Sequence, residues 1–217
     1  MLEYYNGYVT KDSYGNEVHV HGLIHKLASE AQRVKEASNL GERFSDRTFG
    51  NFIANRDQKA FEVCRDYANN DNLFGMKKNS LIITGGVGTG KTHLAAAISN
   101  LLIDHNIPVL FGTFADHLEN IRSEFDHTGQ KKHLSMMKNT PMLVIDDLGK
   151  EKHTDWTQEI LFGVVNYRYE HLLPIVMTTN LEFSELGNYV GSAVFSRLYE
   201  MSGVVTMSGS NFRMKGQ

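Results

Sequence analysis

Short apolar runs alternate along the chain with longer segments in which apolar residues recur every three or four positions. The runs have the length and composition of buried strands, and the periodic segments are typical of amphipathic helices. The runs begin at Leu81 and at residues 108–113, 141–149, 174–180 and 203–207, and helices are expected at about 93–103, 114–125, 131–138 and 156–171 and around Arg197. This alternation predicts a parallel sheet covered by helices on both faces.

The first 45 residues follow a different pattern, and we expect them to form an appendage to a main domain at 46–217. Residues 7–22 favour a β-hairpin that turns at residues 12–16. Residues 23–38 are expected to form an amphipathic helix, whose apolar stripe could pack on its own domain or on a partner protein. Residues 41–46 are expected to be a linker, and a helix is predicted at 58–68.

The segment LIITGGVGTGKT, residues 81–92, leads from a strand through a glycine-rich turn into a helix. Its spacing, G-x-x-x-x-G-K-T, is that of a phosphate-binding P-loop. The glycines let successive N–H groups turn towards one anion, and the helix directs its positive end there. We expect Lys91 to reach the β- and γ-phosphates of ATP, and the Thr92 hydroxyl to hold Mg²⁺. The expected nucleotide contacts in this loop are Gly85, Gly86, Val87, Gly88, Thr89, Gly90, Lys91, Thr92 and His93.

Two acidic residues stand at the end of the run PMLVIDDLG, residues 141–149. The carboxyl ends of parallel strands meet at one edge of the sheet, where the P-loop also lies. Asp146 is therefore expected to hold the Mg²⁺ shell, and Asp147 to orient or polarise the attacking water, as in a Walker B motif. At the end of the next run, Thr179 or Asn180 could reach the γ-phosphate, although a turn-forming asparagine fits the spacing equally well.

Composition and charge exclude several classes of protein. The net charge of −3 predicts no nucleic-acid binding through bulk electrostatics, so a DNA site would need a local basic patch. A single cysteine excludes an internal disulfide and fits a reducing cytoplasm. We expect no membrane span, because no apolar run approaches about 18 residues, and no signal peptide, because the N-terminal residues MLEYYNGYVT have neither a basic segment nor an apolar core. The ten histidines lack metal-ligand spacing and are expected at the surface.

Four segments resemble AAA+ ATPases of the DnaC type, the replicative helicase loaders: GGVGTGKTHLAAAISNLL, VIDDLG, MTTN and SRLYE. The IstB-type transposition helpers and the DnaA initiator are close relatives of that group. The likeness runs from about residue 44 to residue 213. It implies a three-layer α/β fold of the P-loop NTPase (AAA+) class with a parallel sheet, without the C-terminal helical lid domain common in AAA+ proteins, and ATP or ADP with Mg²⁺ as ligands.

The resemblance also implies roles for residues outside the P-loop. RTFGNFIANRDQKAF is similar to the segment that walls the adenine, although physical reasoning alone favours core positions for its phenylalanines. Asn180 matches sensor 1, and Arg197 matches the arginine that a neighbouring subunit inserts towards the γ-phosphate. The family often has a second arginine one turn earlier, where this chain has Ala193. The further nucleotide contacts that the resemblance implies are Phe49, Phe52, Asn55 and Arg213.

For single-stranded DNA, the resemblance implies contacts from the inserted helices and from the segment after the Walker B strand. Bases could stack on aromatic rings there, with lysines near the phosphates. The matching residues are Arg122, Phe125, Lys150, Lys152, Thr154 and Trp156. Without a lid, the nucleotide would be covered mainly by the next subunit, which implies ATP-linked assembly into a spiral or ring and weak ATPase activity of the monomer.

Three functions remain open from the sequence. The first is an ATP-dependent loader that delivers the replicative helicase onto single-stranded DNA. The second is an IstB-type ATPase helper of a transposase, which would act on duplex DNA. The third is an ATP-dependent interaction module without a DNA role, which the negative net charge allows. A preference for single or double strands separates the first two.

Overall fold

A computed structural model describes residues 9–11, 17–19, 38, 40–53, 57–128 and 132–208. Near the N-terminus, β1 (Val9–Lys11) and β2 (Glu17–His19) pair antiparallel, at the position of the expected hairpin. The helix expected over residues 23–38 lies outside the described residues, apart from Ser38. Ser38 itself is buried against β4 (Val109–Thr113), where its hydroxyl accepts a hydrogen bond from the Val109 N–H at 3.2 Å.

The centre of the described chain is a five-stranded parallel sheet. Besides β4 it contains β3 (Ser80–Gly85), β5 (Met142–Leu148), β6 (Ile175–Thr179) and β7 (Ser202–Met207). The spatial order is β4-β5-β6-β3-β7, so β6 separates the P-loop strand β3 from the acidic strand β5. Each apolar run of the sequence forms one strand, which confirms the parallel sheet.

Helices cover both faces of this sheet. They are α1 (Glu42–Ser45), α2 (Gln58–Ala68), α3 (Lys91–Asp104), α4 (Phe114–Thr128), α5 (Lys132–Asn139), α6 (Asp155–Glu170), α7 (Phe183–Val190) and α8 (Ser192–Met201). No helix in the described ranges has both the length and the apolar character that a membrane crossing requires. No lid of helices follows β7 within the described part, which ends at Ser208.

One difference from the sequence-based expectation concerns residues 41–46, which contain α1 rather than an extended linker. The Asn100 side chain of α3 donates to the carbonyl groups of Phe44, at 3.0 Å, and of Arg47, at 2.7 Å. The Phe44 ring also packs 5.3 Å from the Phe111 ring of β4. These contacts tie the segment to the main domain, and they bring it to the edge of the cleft described below.

Alternate residues of each strand face two separate cores. In β3, Leu81 and Ile83 pack with α2 and α3, whereas Ile82 packs on the opposite face with α4, α6 and α8. The same alternation continues across the sheet because successive side chains of a strand point to opposite faces. The molecule is therefore built in three layers, as the resemblance to AAA+ ATPases implied.

Arg168 of α6 is wholly buried, which is unusual for an arginine. Its guanidinium donates to backbone carbonyl groups at 2.6–3.2 Å. Those acceptors belong to Met137, Lys138, Thr140, Pro141 and Pro174. Burial lowers the pKa of Arg168 to about 9. The side chain fastens the end of α5 to the starts of β5 and β6.

Two histidines that were expected at the surface are buried. His117 of α4 has Nε2 3.2 Å from the Val144 carbonyl oxygen and Nδ1 3.0 Å from His133 Nε2. Because the carbonyl only accepts, the hydrogen-bond network assigns the His117 proton to Nε2, and His133 donates to Nδ1. Burial lowers the pKa of His117 to about 4 and also lowers that of His133. Among the described residues, no His, Cys, Asp or Glu cluster suits a metal ion.

Candidate functional site

The loop between β3 and α3 turns at the carboxyl end of the sheet. Gly85 has φ +139° and Gly90 has φ +108°, conformations that residues with a Cβ rarely adopt. At Gly85 a Cβ would lie 2.4 Å from the Met207 carbonyl oxygen, so only glycine lets the loop pass the end of β7. Gly88 also has a positive φ, but Gly86 does not, so the conformational argument from the sequence applies to three glycines rather than four.

Lys91 begins α3 and joins the loop to the neighbouring strand. Its side chain is nearly buried, and Nζ donates to the carbonyl oxygens of Gly85 and Gly86, each at 2.7 Å. A third hydrogen bond, of 2.8 Å, goes to Asn180 Oδ1, just beyond the end of β6. The ammonium group therefore lies inside the loop, between the carboxyl ends of β3 and β6. The sequence predicted that these ends lie at the same edge of the sheet.

Thr92 and Asp146 come together from α3 and β5. The Thr92 hydroxyl lies 3.1 and 3.0 Å from the two carboxylate oxygens of Asp146. Asp146 is buried, and its Oδ1 also accepts a hydrogen bond of 2.5 Å from Thr178. Burial raises the pKa of Asp146, and the hydrogen bonds from Thr178 and Thr92 act in the opposite direction. A hydroxyl and a carboxylate are the hard oxygen ligands that Mg²⁺ prefers.

Asp147 occupies a bulge at the end of β5. Its φ is +59°, which is uncommon for a residue other than glycine. Asn180 donates to its Oδ1 at 3.1 Å, and Lys150 forms an ion pair with its Oδ2. The carboxylate thus lies beside the same asparagine that contacts Lys91. Residues predicted from three separate segments share one hydrogen-bonded group.

These groups line a cleft of about 440 Å³, a volume within the usual range for small-molecule sites. Of the residues predicted to contact nucleotide, metal or reacting water, the cleft brings together Phe52, Val87, Gly88, Gly90, Lys91, Thr92, His93, Asp146, Asp147 and Asn180. Lys150, expected near DNA phosphates, lines it as well. Thr89 instead faces the loop, where its hydroxyl donates to the Gly86 carbonyl at 3.0 Å.

The segment expected to wall the adenine is held against α3. His93 Nε2 lies 3.0 Å from the Thr48 carbonyl oxygen, and the His93 and Phe52 rings meet edge to face at 5.2 Å. Phe52 lines the cleft, whereas Phe49 packs on the Phe61 ring and is not among the lining residues. Two further expected nucleotide contacts, Asn55 and Arg213, lie outside the described residues.

Sequence reasoning missed several residues that line the cleft: Arg43, Phe44, Arg47 and Thr113. The two arginines stand four positions apart in RFSDRTF, and that spacing could have indicated them. Arg43 was overlooked because residues 41–46 were expected to form a linker, whereas Arg47 begins the predicted adenine segment, in which only Phe49, Phe52 and Asn55 were singled out. The two arginines add positive charge to the rim of a cleft whose proposed ligand is an anion.

A profile of the family described as IstB-like ATP binding protein matches residues 51–217. The chain belongs to this family. Among its relatives, XkdC of the phage-like element PBSX in Bacillus subtilis (strain 168) is 34% identical over 204 residues, 86% of this chain and 76% of XkdC. The replicative helicase loader DnaC of Buchnera aphidicola subsp. Baizongia pistaciae (strain Bp) is 30% identical over 176 residues, 79% of this chain and 70% of DnaC.

Not all relatives of this IstB-like protein have its length. YqaM, an uncharacterised protein of Bacillus subtilis (strain 168), is 31% identical over 180 residues, and the match covers 78% of this chain but 56% of YqaM. The crystal structure of the DnaC helicase loader aligns with a TM-score of 0.69 and 26% identity, covering 77% of this chain and 100% of the solved chain. The resemblance to DnaC-type AAA+ ATPases and the P-loop NTPase fold are both confirmed.

In this IstB-like protein Arg197, the expected trans arginine, lies on α8 and is not among the residues that line the cleft. Its guanidinium donates to the Ala193 carbonyl at 2.8 Å and lies 5.4 and 5.8 Å from the ring centres of Phe162 and Tyr169. Arg197 is half-buried on α8 and does not line the cleft of its own chain.

The described side chains that were expected to contact DNA lie on α4, on α6 and in the loop before α6. Arg122 lies over the Trp156 ring, 4.5 Å from its centre, and Trp156 is half-buried. Thr154 caps α6, where its hydroxyl accepts the Thr157 N–H at 3.2 Å. Lys152 is exposed in the same loop. The side chain of Phe125 is outside the described part of α4.

Proposed function

We propose that this protein is an ATP-dependent loader of a replicative DNA helicase onto single-stranded DNA. The observation that carries the proposal is the meeting of Lys91, Asp147 and Asn180 in one hydrogen-bonded group beside the Thr92–Asp146 pair. That arrangement is suited to phosphoryl transfer from ATP to water. Relatives that share the family and the fold include DnaC loaders.

Each residue of the cleft has a proposed task in ATP hydrolysis. The P-loop N–H groups and Lys91 bind the phosphates, for which the helix N-terminus adds positive potential. Thr92 and Asp146 hold Mg²⁺, which when bound offsets the charge of the phosphate oxygens. Asp147 orients the attacking water and accepts its proton, and Asn180 positions Asp147 relative to the γ-phosphate. The products are ADP and phosphate.

Assembly completes the proposed site. Arg197 is half-buried on α8 outside the cleft of its own chain, and we assign it to the γ-phosphate of a neighbouring subunit in a spiral or ring. The isolated protein is then expected to hydrolyse ATP slowly, because the charge that develops on the phosphate lacks this cation. Residues 1–45 are the candidate for contact with the helicase, and residues 46–217 form the proposed ATPase domain.

The proposed DNA surface joins the end of β5 to α4. Lys152 is exposed, and Lys150 could exchange its ion pair with Asp147 for a DNA phosphate, while the Arg122–Trp156 pair offers a planar group on which a base could stack. Together these side chains would form the local basic patch that the net charge of −3 requires. ATP binding would hold the loader on DNA and helicase, and hydrolysis would release it.

The match to IstB-like ATP-binding proteins favours a second candidate, an ATPase helper of a transposase acting on duplex DNA. Light scattering with a slowly hydrolysed ATP analogue separates the two. We expect larger assemblies with single-stranded DNA than with duplex DNA or without DNA, and none with Lys91→Ala. A clear preference for duplex DNA would favour the transposase helper. Absence of assembly under all three conditions would contradict ATP-linked self-association.

A further inference from the structure

Thr178 of β6 lies opposite both acidic residues of the cleft. β5 and β6 are in register on either side of this point, but between the paired positions β5 has two residues, Asp146 and Asp147, where β6 has only Thr178. The extra residue makes a bulge in a parallel pair, which is rare. A bulge disrupts the regular ladder, so the two acids need another group to fix them.

The Thr178 hydroxyl supplies that group and serves both acids at once. The Asp147 N–H donates to its oxygen at 2.9 Å. The hydroxyl proton is directed to Asp146 Oδ1, 2.5 Å away, because a carboxylate can only accept. Thr178 is almost completely buried, so water does not readily replace either contact. One oxygen thus fixes the rotamer of Asp146 and the backbone of Asp147.

We infer that Thr178 is the positioning residue for Mg²⁺ binding in this cleft, acting through Asp146. The inference rests on the proposed ATPase function. Thr178 does not line the cleft, so its effect must pass through the two acids. Valine has nearly the same shape but would leave the Asp147 N–H unpaired and would leave Asp146 Oδ1 with the Thr92 hydroxyl as its remaining partner. Loss of such an orienting partner lowers metal affinity typically by about 10- to 100-fold.

Thr179 provides a matched control. It is the next residue of β6, it is fully buried and, unlike Asn180, it does not line the cleft. Its hydroxyl donates to the Leu148 carbonyl at 2.8 Å rather than to an acid, and it accepts the Leu181 N–H at 3.1 Å. Thr179→Val therefore removes a buried hydroxyl from the same strand without removing a contact of Asp146 or Asp147. A difference between the two valine variants isolates the contact with the acids from a general loss of stability.

The experiment measures binding of a fluorescent, slowly hydrolysed ATP analogue, first in EDTA and then over a series of Mg²⁺ concentrations. In EDTA we expect all variants to bind within about two-fold of the wild type, because Thr178 does not touch the nucleotide. The Mg²⁺ concentration that gives half of the affinity gain should rise about 10-fold or more in Thr178→Val. Thr178→Ser and Thr179→Val should keep the wild-type Mg²⁺ requirement.

Two outcomes separate failure of this inference from failure of the proposed function. If Thr178→Val has the wild-type Mg²⁺ requirement, Thr178 is not a positioning residue, and the ATPase proposal stands. If the wild type gains no affinity from Mg²⁺, the ATPase proposal fails and the inference fails with it. Should the valine variant not fold, Thr178→Ala compared with Thr178→Ser gives the same test, because only the alanine variant lacks the hydroxyl.

Discussion

Removing the Arg168 guanidinium should lower the free energy of unfolding, because buried carbonyl groups would lose their hydrogen-bond donor. Five backbone carbonyl groups accept its hydrogen bonds, and the residue is wholly buried. Arg168→Met fills much of the volume but leaves those acceptors with fewer partners. We expect a loss of about 3 kcal/mol or more in the free energy of unfolding, measured by urea denaturation.

The exposed Arg65 of α2 provides the control for that measurement. Its ion pair with Asp66 spans 3.8 Å between largely exposed side chains. Exposed pairs contribute little, so Arg65→Met should change the free energy of unfolding by less than about 0.5 kcal/mol. Equal effects of the two substitutions would show that the carbonyl cluster does not depend on Arg168.

At the scale of elements, the loop after β5 places a lysine against the proposed catalytic carboxylate. Lys150 pairs with Asp147 Oδ2 and Asn180 donates to Oδ1, so a water molecule must compete with a cation and an amide for this carboxylate. The pair is partly exposed, and its strength is accordingly modest. Lys150→Ala should raise ATP hydrolysis without DNA by roughly two- to five-fold, measured by phosphate release.

The exposed Lys78 offers a control for this prediction, because it does not line the cleft. Lys78→Ala should leave hydrolysis unchanged. A loss of hydrolysis in Lys150→Ala would contradict the restraining role and would indicate that the ammonium group assists the reaction instead. Stimulation by single-stranded DNA should also diminish in Lys150→Ala, if phosphates release Asp147 by attracting Lys150.

The buried contact between His117 of α4 and His133 of α5 makes the free energy of unfolding depend on pH. The pKa of His117 is about 4 in the folded protein, against an ordinary value of 6.5, so the unfolded chain binds more protons in this range. The stability gained by keeping His117 neutral is therefore complete above pH 6.5 and is lost as the pH falls towards 4. Over that range the loss is about 3 kcal/mol, and the lowered pKa of His133 acts in the same direction.

Unfolding measured from pH 7 to pH 4 tests this dependence. Asp116 and Glu124 are the acidic groups that act on the two rings, and their charges oppose the effect of burial. His117→Gln keeps hydrogen-bonding groups but cannot titrate, so its stability should fall less steeply with decreasing pH than that of the wild type. Parallel curves for the two proteins would show that His117 does not carry the dependence.

The strands of the sheet and most of the helices were predictable because each depends on a local period of apolar residues. The P-loop and the acid pair were predictable because the loop has a fixed spacing of residues and the acids directly follow an apolar run. The buried histidines, Arg168 and Thr178 were not, because their partners come from distant segments and nothing adjacent in sequence indicates burial. Arg43 was missed for a related reason, since a short polar segment resembles a linker until its packing on α3 is known.

At the scale of the whole molecule, the proposed function requires the Arg197 guanidinium of one subunit to act in the cleft of the next. Arg197→Ala should bind nucleotide within about two-fold of the wild type, but hydrolysis in the assembled state should fall by about 1,000-fold or more.

Mixing two inactive variants tests more sharply whether Arg197 acts on a neighbouring subunit. Arg197→Ala subunits keep the cleft and Lys91→Ala subunits keep the arginine, so mixed assemblies should recover part of the hydrolysis that each lacks alone. Absence of recovery would contradict action in trans.

Transfer of a helicase to DNA is the activity that the proposed loader function requires. The replicative helicase of the same cell is incubated with closed circular single-stranded DNA and ATP, the DNA is separated by size, and the bound helicase is measured. Wild-type protein should increase the bound helicase several-fold over helicase alone, and Lys91→Ala should give no increase. Equal recovery of the helicase with and without the wild-type protein would contradict the assignment as a loader.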